Sequence, residues 1–453
     1  MNGKGHLNSL VFVKYYIRAW GEKMSKIKDQ YKDKLRTAEE AIRLVQNGDF
    51  IMVGIGEPPA LLTALSDHRR EFNDVKIGQI LSQKKFDYID SETVDHVRQV
   101  SFFFGAATRP GGQQGWIDYI PSYFSEMPSM FREGILGVNS FFTLASPMDE
   151  HGYFSISLGT DYSMAALAKA RTVVLEVNPN VPYAYGNNLV HISQVTAVVE
   201  DSSPIYEVGL PTIGPVQESI AKYVADFIKD GSTLQIGLGA IPDAVVMQLT
   251  HKNDIGIHTE MIGDGILRLI ESGVVTNRKK NYLPGKMIAT FALGSKKLYD
   301  FMHRNPQLEM HPVDFTNDPY LAGLNDNLIT INGTMQVDFL GQCCSESLGC
   351  VPYSGTGGQV DFVRAGNRSK GGKSFIVLPS TAKDGKISRI VPTLTPGAVV
   401  TTSKNDVNYV VTEYGVAQLR GKSAKQRAQE LIAIAHPDFR GELTETAKKM
   451  KLL

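Results

Sequence analysis

Phe50-Ile51-Met52-Val53-Gly54-Ile55-Gly56-Glu57-Pro58-Pro59 returns later, in changed letters, as Thr233-Leu234-Gln235-Ile236-Gly237-Leu238-Gly239-Ala240-Ile241-Pro242. Each stretch is a short, mainly apolar run closed by Gly-x-Gly and followed by proline. Such a run reads as a strand covered on both faces. Upstream, Glu40–Gly48 reads as a helix with an Asn-Gly stop and Ser219–Gly231 as a helix with an Asp-Gly stop. A glycine just past a helix takes the left-handed conformation that other residues avoid. Downstream, Ala60–Leu65 and Ala244–Leu249 read as apolar helices. The order helix, strand, glycine loop, helix is thus written twice.

Other continuous apolar runs, Thr172–Val177 and Ser374–Leu378, read as further buried strands. The expected fold is α/β: two similar open domains with largely parallel sheets, related by internal duplication and facing each other across a cleft. In open α/β sheets ligands bind beyond the carboxyl ends of the strands, so the cleft is the expected active site. The seam is expected in Asp201–Pro215, where Ser202-Ser203-Pro204, Pro211 and Pro215 break regular structure. The expected domains are 24–208 and 209–453, the second carrying the catalytic acid. Residues 1–23 are set apart as a disordered extension or the product of an upstream start codon. Their apolar run Leu10-Val11-Phe12-Val13 is stopped by Lys14, too short for a signal peptide or a membrane span.

Composition narrows the function classes. The 47 basic and 47 acidic residues of the 453-residue chain cancel, so there is no nucleic-acid footprint and no basic membrane-binding tract. A small-molecule substrate in the cytoplasm is the expectation. Cys343, Cys344 and Cys350 match neither a zinc pattern nor a disulfide framework and read as inert thiols. No G-x-S-x-G elbow or H-E-x-x-H motif occurs. His251 and His258 have no carboxylate–His pattern between them, and no metal site is expected. The Gly-x-Gly loops complete neither a dinucleotide fingerprint nor a Walker motif. They suit close backbone approach to a ligand, with phosphate binding the alternative.

One segment remains for chemistry: Gly256-Ile257-His258-Thr259-Glu260-Met261-Ile262-Gly263. It starts as a strand and ends in a glycine-flanked turn, so Glu260 is either a carboxylate delivered into the cleft or a solvated turn residue. Tyr353-Ser354-Gly355-Thr356-Gly357-Gly358-Gln359-Val360-Asp361-Phe362 is either a flexible surface loop or a set of backbone N–H donors for an oxyanion. Thr412-Glu413-Tyr414-Gly415 closes a further strand, Tyr409–Thr412.

These motifs carry a resemblance. Gly237–Val245, Gly256–Met261, Ser354–Phe362 and Val410–Gly421 together resemble the acetyl-CoA hydrolase/transferase family, and within it the members acting on 4-hydroxybutyrate. The likeness runs from about Tyr31 to the C-terminus. It implies that Glu260 is a covalent nucleophile and that backbone amides around Leu238, Gly357 and Gly358 form the oxyanion site. It further implies that Asn332 and Glu413 lie near the acyl and carboxylate site, and that Gly56 and the stretch Gly105–Gly115 line the opposite wall. Gly237, Gly239 and Gln359 belong to the same loops. Lys286, Arg389 and Lys296 are candidates for the phosphates of coenzyme A.

The implied reaction is transfer of coenzyme A between acetyl- or butyryl-CoA and a carboxylate such as 4-hydroxybutyrate. CoA would be a substrate, with no tightly bound cofactor, and the protein a homodimer or higher homo-oligomer. A glutamate suits this chemistry because a carboxylate attacking a thioester gives an anhydride that keeps the thioester's energy, and no proton need move. An acyl-CoA hydrolase on the same fold and a non-catalytic CoA-binding protein are the alternatives.

Overall fold

The computed structural model describes residues 25–453 apart from 210 and 238, so the proposed extension and Leu238 lie outside the described residues. The first of two large sheets has eight strands, in the order Leu35–Arg36, Ala197–Glu200, Thr172–Val177, Ser140–Ala145, Phe50–Val53, Val75–Ile80, Val97–Phe103, Asp118–Tyr119. Every neighbouring pair in it is parallel. The second has six: Gly256–Ile257, Thr233–Ile236, Leu328–Gly333, Lys373–Val377, Tyr409–Thr412 and Gly415–Gln418, parallel except for the hairpin at its last edge. The expected pair of α/β domains is present.

Both sheets are covered on both faces, which explains the unbroken apolar runs. In the first, Met52, Phe141 and Leu175 enter one core while Ile51, Phe142 and Val174 enter another. In the second, Phe375 and Val411 pack beneath the helices Pro215–Ala225 and Ala240–Met247, and Ile376 and Val410 pack against Leu431 of helix Ala424–Ala433. Each fully buried aliphatic side chain contributes about 1.5–3 kcal/mol.

The duplication extends to individual hydrogen bonds. Gly48 N–H donates to Asn73 O and Gly231 N–H to Asn253 O, both at 3.0 Å. Asn47 Oδ1 accepts from Asn73 N at 2.9 Å, as Asp230 Oδ1 accepts from Asn253 N at 2.8 Å. Asp74 and Asp254 share left-handed backbones, φ 54° and 55°. Gly54 N–H then reaches Phe142 O across the sheet, and Gly237 N–H reaches Ile331 O.

The expected helices differ at their ends. Helical structure covers Ala38–Ile42 and Pro215–Ala225, so Gly48 and Gly231 close turns beyond the helices. Proline fits the second helix start because its missing N–H would be unpaired there anyway. Gly48 and Gly231 still have positive φ, 80° and 75°. The seam carries no helix or strand among its described residues before Pro215. It is anchored nonetheless, with Tyr206 O accepting from Tyr299 Oη and Val208 N–H donating to Gly294 O. The halves also share a small sheet, in which Tyr185–Gly186 pairs with Leu308–Met310.

The second glycine-loop helix is entered through Gly239, whereas the first, Pro59–Asp67, receives a buried acid from a neighbouring strand. Glu176 accepts from Ala60 N and Leu61 N at 3.2 and 2.9 Å. A carboxylate at a helix N-terminus offsets the unpaired donors and the dipole. Burial nevertheless pushes Glu176 up to about 7. Cys343 and Cys344 are buried and Cys350 exposed, all as free thiols. Among the described residues no helix is long and apolar enough to cross a membrane.

Because Gly48 and Gly231 occupy equivalent left-handed turns, Gly48→Ala and Gly231→Ala should each cost about 1 kcal/mol. Urea denaturation should show similar falls in midpoint for the two variants.

Candidate active site

The segment holding Glu260 is fixed from both sides. After the strand Gly256–Ile257 the chain forms a bridge at His258 to Ile288, and the Thr259 hydroxyl hydrogen-bonds the Ile236 backbone at 3.2 Å. Glu260 O accepts from Thr290 N (2.9 Å) and Phe291 N (3.2 Å), and Met261–Ile262 then pairs with Phe291–Ala292. Glu260 therefore sits between two short strands, not at a strand's end, and Gly263 leads into helix Asp264–Glu271.

Its side chain lines a pocket of about 160 Å³. Gly237, Asn332, Gly357, Gly358 and Gln359 line the same pocket, together with Phe103 from the first half. Asn317 Nδ2 donates to Glu260 Oε2 at 2.6 Å. Gly358 comes so close that a Cβ there would lie 1.8 Å from Oε2 and 2.2 Å from Asn317 Nδ2. Gly358 is also the N-cap of helix Gln359–Arg368, whose positive end faces the carboxylate.

Burial dominates the electrostatics. It raises Glu260 to about 7, partly offset by the Asn317 bond, increased by the charge of Asp361, and again offset by the Gly358 N–H. One edge of the side chain opens on the pocket, yet the protein around it is dense enough to disfavour the charged form. His258, beside it in sequence, points away and donates from Nε2 to Thr316 O at 2.8 Å, fixing the residue before Asn317. Burial, with the nearby Lys280, brings His258 down to about 3, so it is neutral. Lys280 ties the strand down from behind through Ile257 O and Lys286 O, at 3.0 and 2.6 Å.

The first half holds the glycine loop in place. Phe104 N–H donates to Ser354 O and Phe124 N–H to Gly357 O. Arg109 donates to Tyr353 O at 2.7 Å and stacks 3.7 Å over the Tyr353 ring. A Cβ on Gly355 would lie 2.5 Å from Phe102 O, so only glycine fits there. The loop is therefore clamped by the first half, against its reading as a free surface loop.

Asn332 and Gln359 are held at this pocket by hydrogen bonds, and the other expected residues are dispersed. Asn332 exchanges hydrogen bonds with the Gln235 amide, and Gln359 donates to Thr402 Oγ1. Gly239, with φ 122°, follows Leu238 at the helix start. Gly56 lines a different pocket of about 310 Å³, with Glu57, Lys84 and Leu293. Glu413 accepts from Ser380 N and Oγ at 2.8 and 2.6 Å, and Arg389 lies half-buried, its pKa lowered by burial and partly restored by the nearby Glu413 carboxylate. Lys286 does not reach the Glu260 pocket: it pairs with Glu309 at 2.9 Å and donates to Pro306 O. Lys296 pairs with Asp300. A larger pocket of about 580 Å³, beside Tyr31 and Glu200, shares no lining residue with the Glu260 pocket, and those two residues already bond each other at 2.6 Å. Asn317 and Asp361 were not singled out from the sequence. Asp361 stood within the quoted glycine run, while nothing around Asn317 marks it.

Residues 21–208 match the acetyl-CoA hydrolase/transferase N-terminal domain, and residues 294–447 match the C-terminal domain of the same family. The chain belongs to the acetyl-CoA hydrolase/transferase family. It is 50% identical to succinyl-CoA:cyclohexane-1-carboxylate CoA transferase of Geobacter metallireducens, over 93% of this chain and 96% of that protein. It is 45% identical to 4-hydroxybutyrate coenzyme A transferase of Clostridium kluyveri, over 92% and 98%. Among solved structures, RipA from Yersinia pestis superposes with a TM-score of 0.90 at 39% identity, covering 94% of this chain and all of that one. The two-sheet architecture is thus that of an acetyl-CoA hydrolase/transferase protein.

A carboxyl raised in the fold takes up a proton more readily folded than unfolded, so its burial is tolerated below the unfolded pKa, near 4.5, and becomes destabilising as pH rises to about 7. Glu260→Gln should therefore melt higher than the parent at pH 8, with the gap closing by pH 5. Thermal melts at the two pH values check this.

Proposed function

We propose that this protein transfers coenzyme A between a short acyl-CoA and a free carboxylic acid such as 4-hydroxybutyrate, with Glu260 as the covalent nucleophile. The observation that carries the reading is the buried Glu260 carboxyl facing a pocket whose opposite wall is glycine backbone. The relatives named as CoA transferases support it, and they differ in the acid named, so the acid is the least constrained part.

An oxygen of Glu260 attacks the thioester carbonyl carbon, the C–S bond breaks, and CoA leaves as thiolate, giving a mixed anhydride. The thiolate then attacks the Glu260 carbonyl, the C–O bond breaks, and the first acid departs, leaving CoA on Glu260 as a thioester. The acceptor carboxylate runs the sequence backwards. A carboxyl titrating near 7 is a more basic, stronger nucleophile than an ordinary glutamate, and is active above that pH. Each tetrahedral intermediate carries an oxyanion. The Gly357–Gly358 backbone at a helix N-terminus and the backbone at Leu238 are the proposed donors, each contributing about 3 kcal/mol.

Purified protein given butyryl-CoA with acetate, 4-hydroxybutyrate or cyclohexane-1-carboxylate should yield the new acyl-CoA with little free CoA, counted by mass spectrometry. Glu260→Ala should abolish the exchange. Free CoA alone with every acceptor would show a hydrolase, and an undiminished Glu260→Ala variant would overturn the assignment. Gly358→Ala should lower turnover about 100-fold in a folded protein, because its Cβ displaces the carboxylate.

A further inference from the structure

The two oxygens of the Glu260 carboxyl are not equivalent. Oε2 accepts from Asn317 Nδ2 at 2.6 Å, and Gly358 lies too close to it for any Cβ. Among the described residues no side chain bonds Oε1. The atom facing Oε2 is the amide nitrogen, because a carboxylate oxygen only accepts. Asn317 is fully buried and does not line the Glu260 pocket, so the oxygen it holds is turned to protein and Oε1 is left for the cavity. Asn317 is itself anchored. It closes the short helix Val313–Thr316, and its N–H donates to Val313 O at 2.8 Å. The preceding carbonyl, Thr316 O, accepts from His258 Nε2 at 2.8 Å. His258 Nδ1 lies 3.3 Å from Asn325 Nδ2, which also donates to Ala322 O at 3.0 Å. Asn325 therefore donates to Nδ1, and the ring proton sits on Nε2. His258 and Glu260, two residues apart on one segment, thus hold the consecutive residues Thr316 and Asn317, all behind a surface that solvent does not cross.

We infer that Asn317 is a catalytic residue with two tasks: it withholds Oε2 from the attack, and it stabilises the oxyanion that forms on Oε2 when Glu260 is itself attacked. The inference rests on Glu260 being the nucleophile. Oε1 attacks the acyl-CoA, so the anhydride is joined through Oε1 and Oε2 remains the glutamyl carbonyl oxygen. The CoA thiolate then adds to Cδ, and the negative charge moves onto Oε2, against the waiting Asn317 N–H. Collapse breaks the Cδ–Oε1 bond, and the first acid leaves with Oε1 as one of its own oxygens. The acceptor carboxylate next adds to Cδ, again placing the charge on Oε2, and the thiolate leaves. When that thiolate attacks the acceptor's acyl carbon, one acceptor oxygen stays behind as the new Oε1. Oε1 is therefore replaced in every turnover, while Oε2 is never lost.

Isotopic oxygen tells the two positions apart. The enzyme is cycled many times with butyryl-CoA and an excess of the best acceptor from the exchange above, both of whose carboxyl oxygens are the heavy isotope. The excess acid returns Glu260 to its free carboxylate, and the peptide carrying it is weighed by mass spectrometry. The parent should gain one heavy oxygen and no second. Asn317→Ala should go on to gain two, because its carboxyl can turn between cycles. The variant's kcat should fall about 100-fold with KM for the acyl-CoA unchanged, the loss expected of one oxyanion donor. Two heavy oxygens in the parent would overturn the inference, a result that stands even where the variant fails to fold. One heavy oxygen only in Asn317→Ala, or an undiminished kcat, would overturn it too, and each of these leaves Glu260 as nucleophile. A parent peptide without heavy oxygen would remove Glu260 from that role, and this inference with it.

Discussion

The approach of the Gly358 peptide to the Glu260 carboxylate is the contact on which the site depends. It is possible only because position 358 has no side chain, since even a methyl would occupy the space of Oε2. It persists only because the loop is held from its far side. Phe104, Arg109 and Phe124 of the first half bond its backbone, and Gly355 presses against Phe102. A loop with this much glycine would lose much conformational entropy on ordering, so the clamp is what makes a fixed backbone wall attainable. The acid and its donors come from the second half, and the rigidity of the donors comes from the first.

The electrostatics around that contact follow from burial without compensation. Among the described residues, Glu260 and Asp361 receive N–H and O–H donors but no cation, so burial lifts each to about 7. Glu176 receives two helix N–H groups and no cation, and ends in the same range. The difference lies in access: Glu260 opens on a pocket, whereas Glu176 is spent on the end of a helix. A raised carboxyl by itself therefore does not identify the chemical site. A raised carboxyl against backbone donors in a cavity is the stronger candidate.

Much of this architecture was legible in the chain. The strands Phe50–Val53, Thr172–Val177, Thr233–Ile236 and Tyr409–Thr412 stand where their apolar runs begin and end, because both sheet faces are buried. Helix ends were less legible, because Asn47 and Asp230 bind the backbone of a distant turn and not the helix itself. Glu260, Gly357 and Gly358 were readable as motif residues, and geometry joins them. Asn317 was not, since its place depends on His258 gripping Thr316 across 58 positions of chain. The ion pair of Lys286 with Glu309 was not readable either, because a lysine's local partner leaves no mark in sequence.

The repeated turns give the two halves a common ruler. Aligned on Lys76 and Gly256, which pair with Phe50 and Thr233, the first-half position matching Glu260 is Ile80. Ile80 is buried in an apolar core. The two equivalent corners are thus filled differently, one presenting a carboxyl to a pocket and the other packing hydrocarbon into a core. The strand beside the sealed corner, Val97–Phe103, lends Phe103 to the wall of the other, a division of labour between copies that an unduplicated, symmetric protein could not adopt.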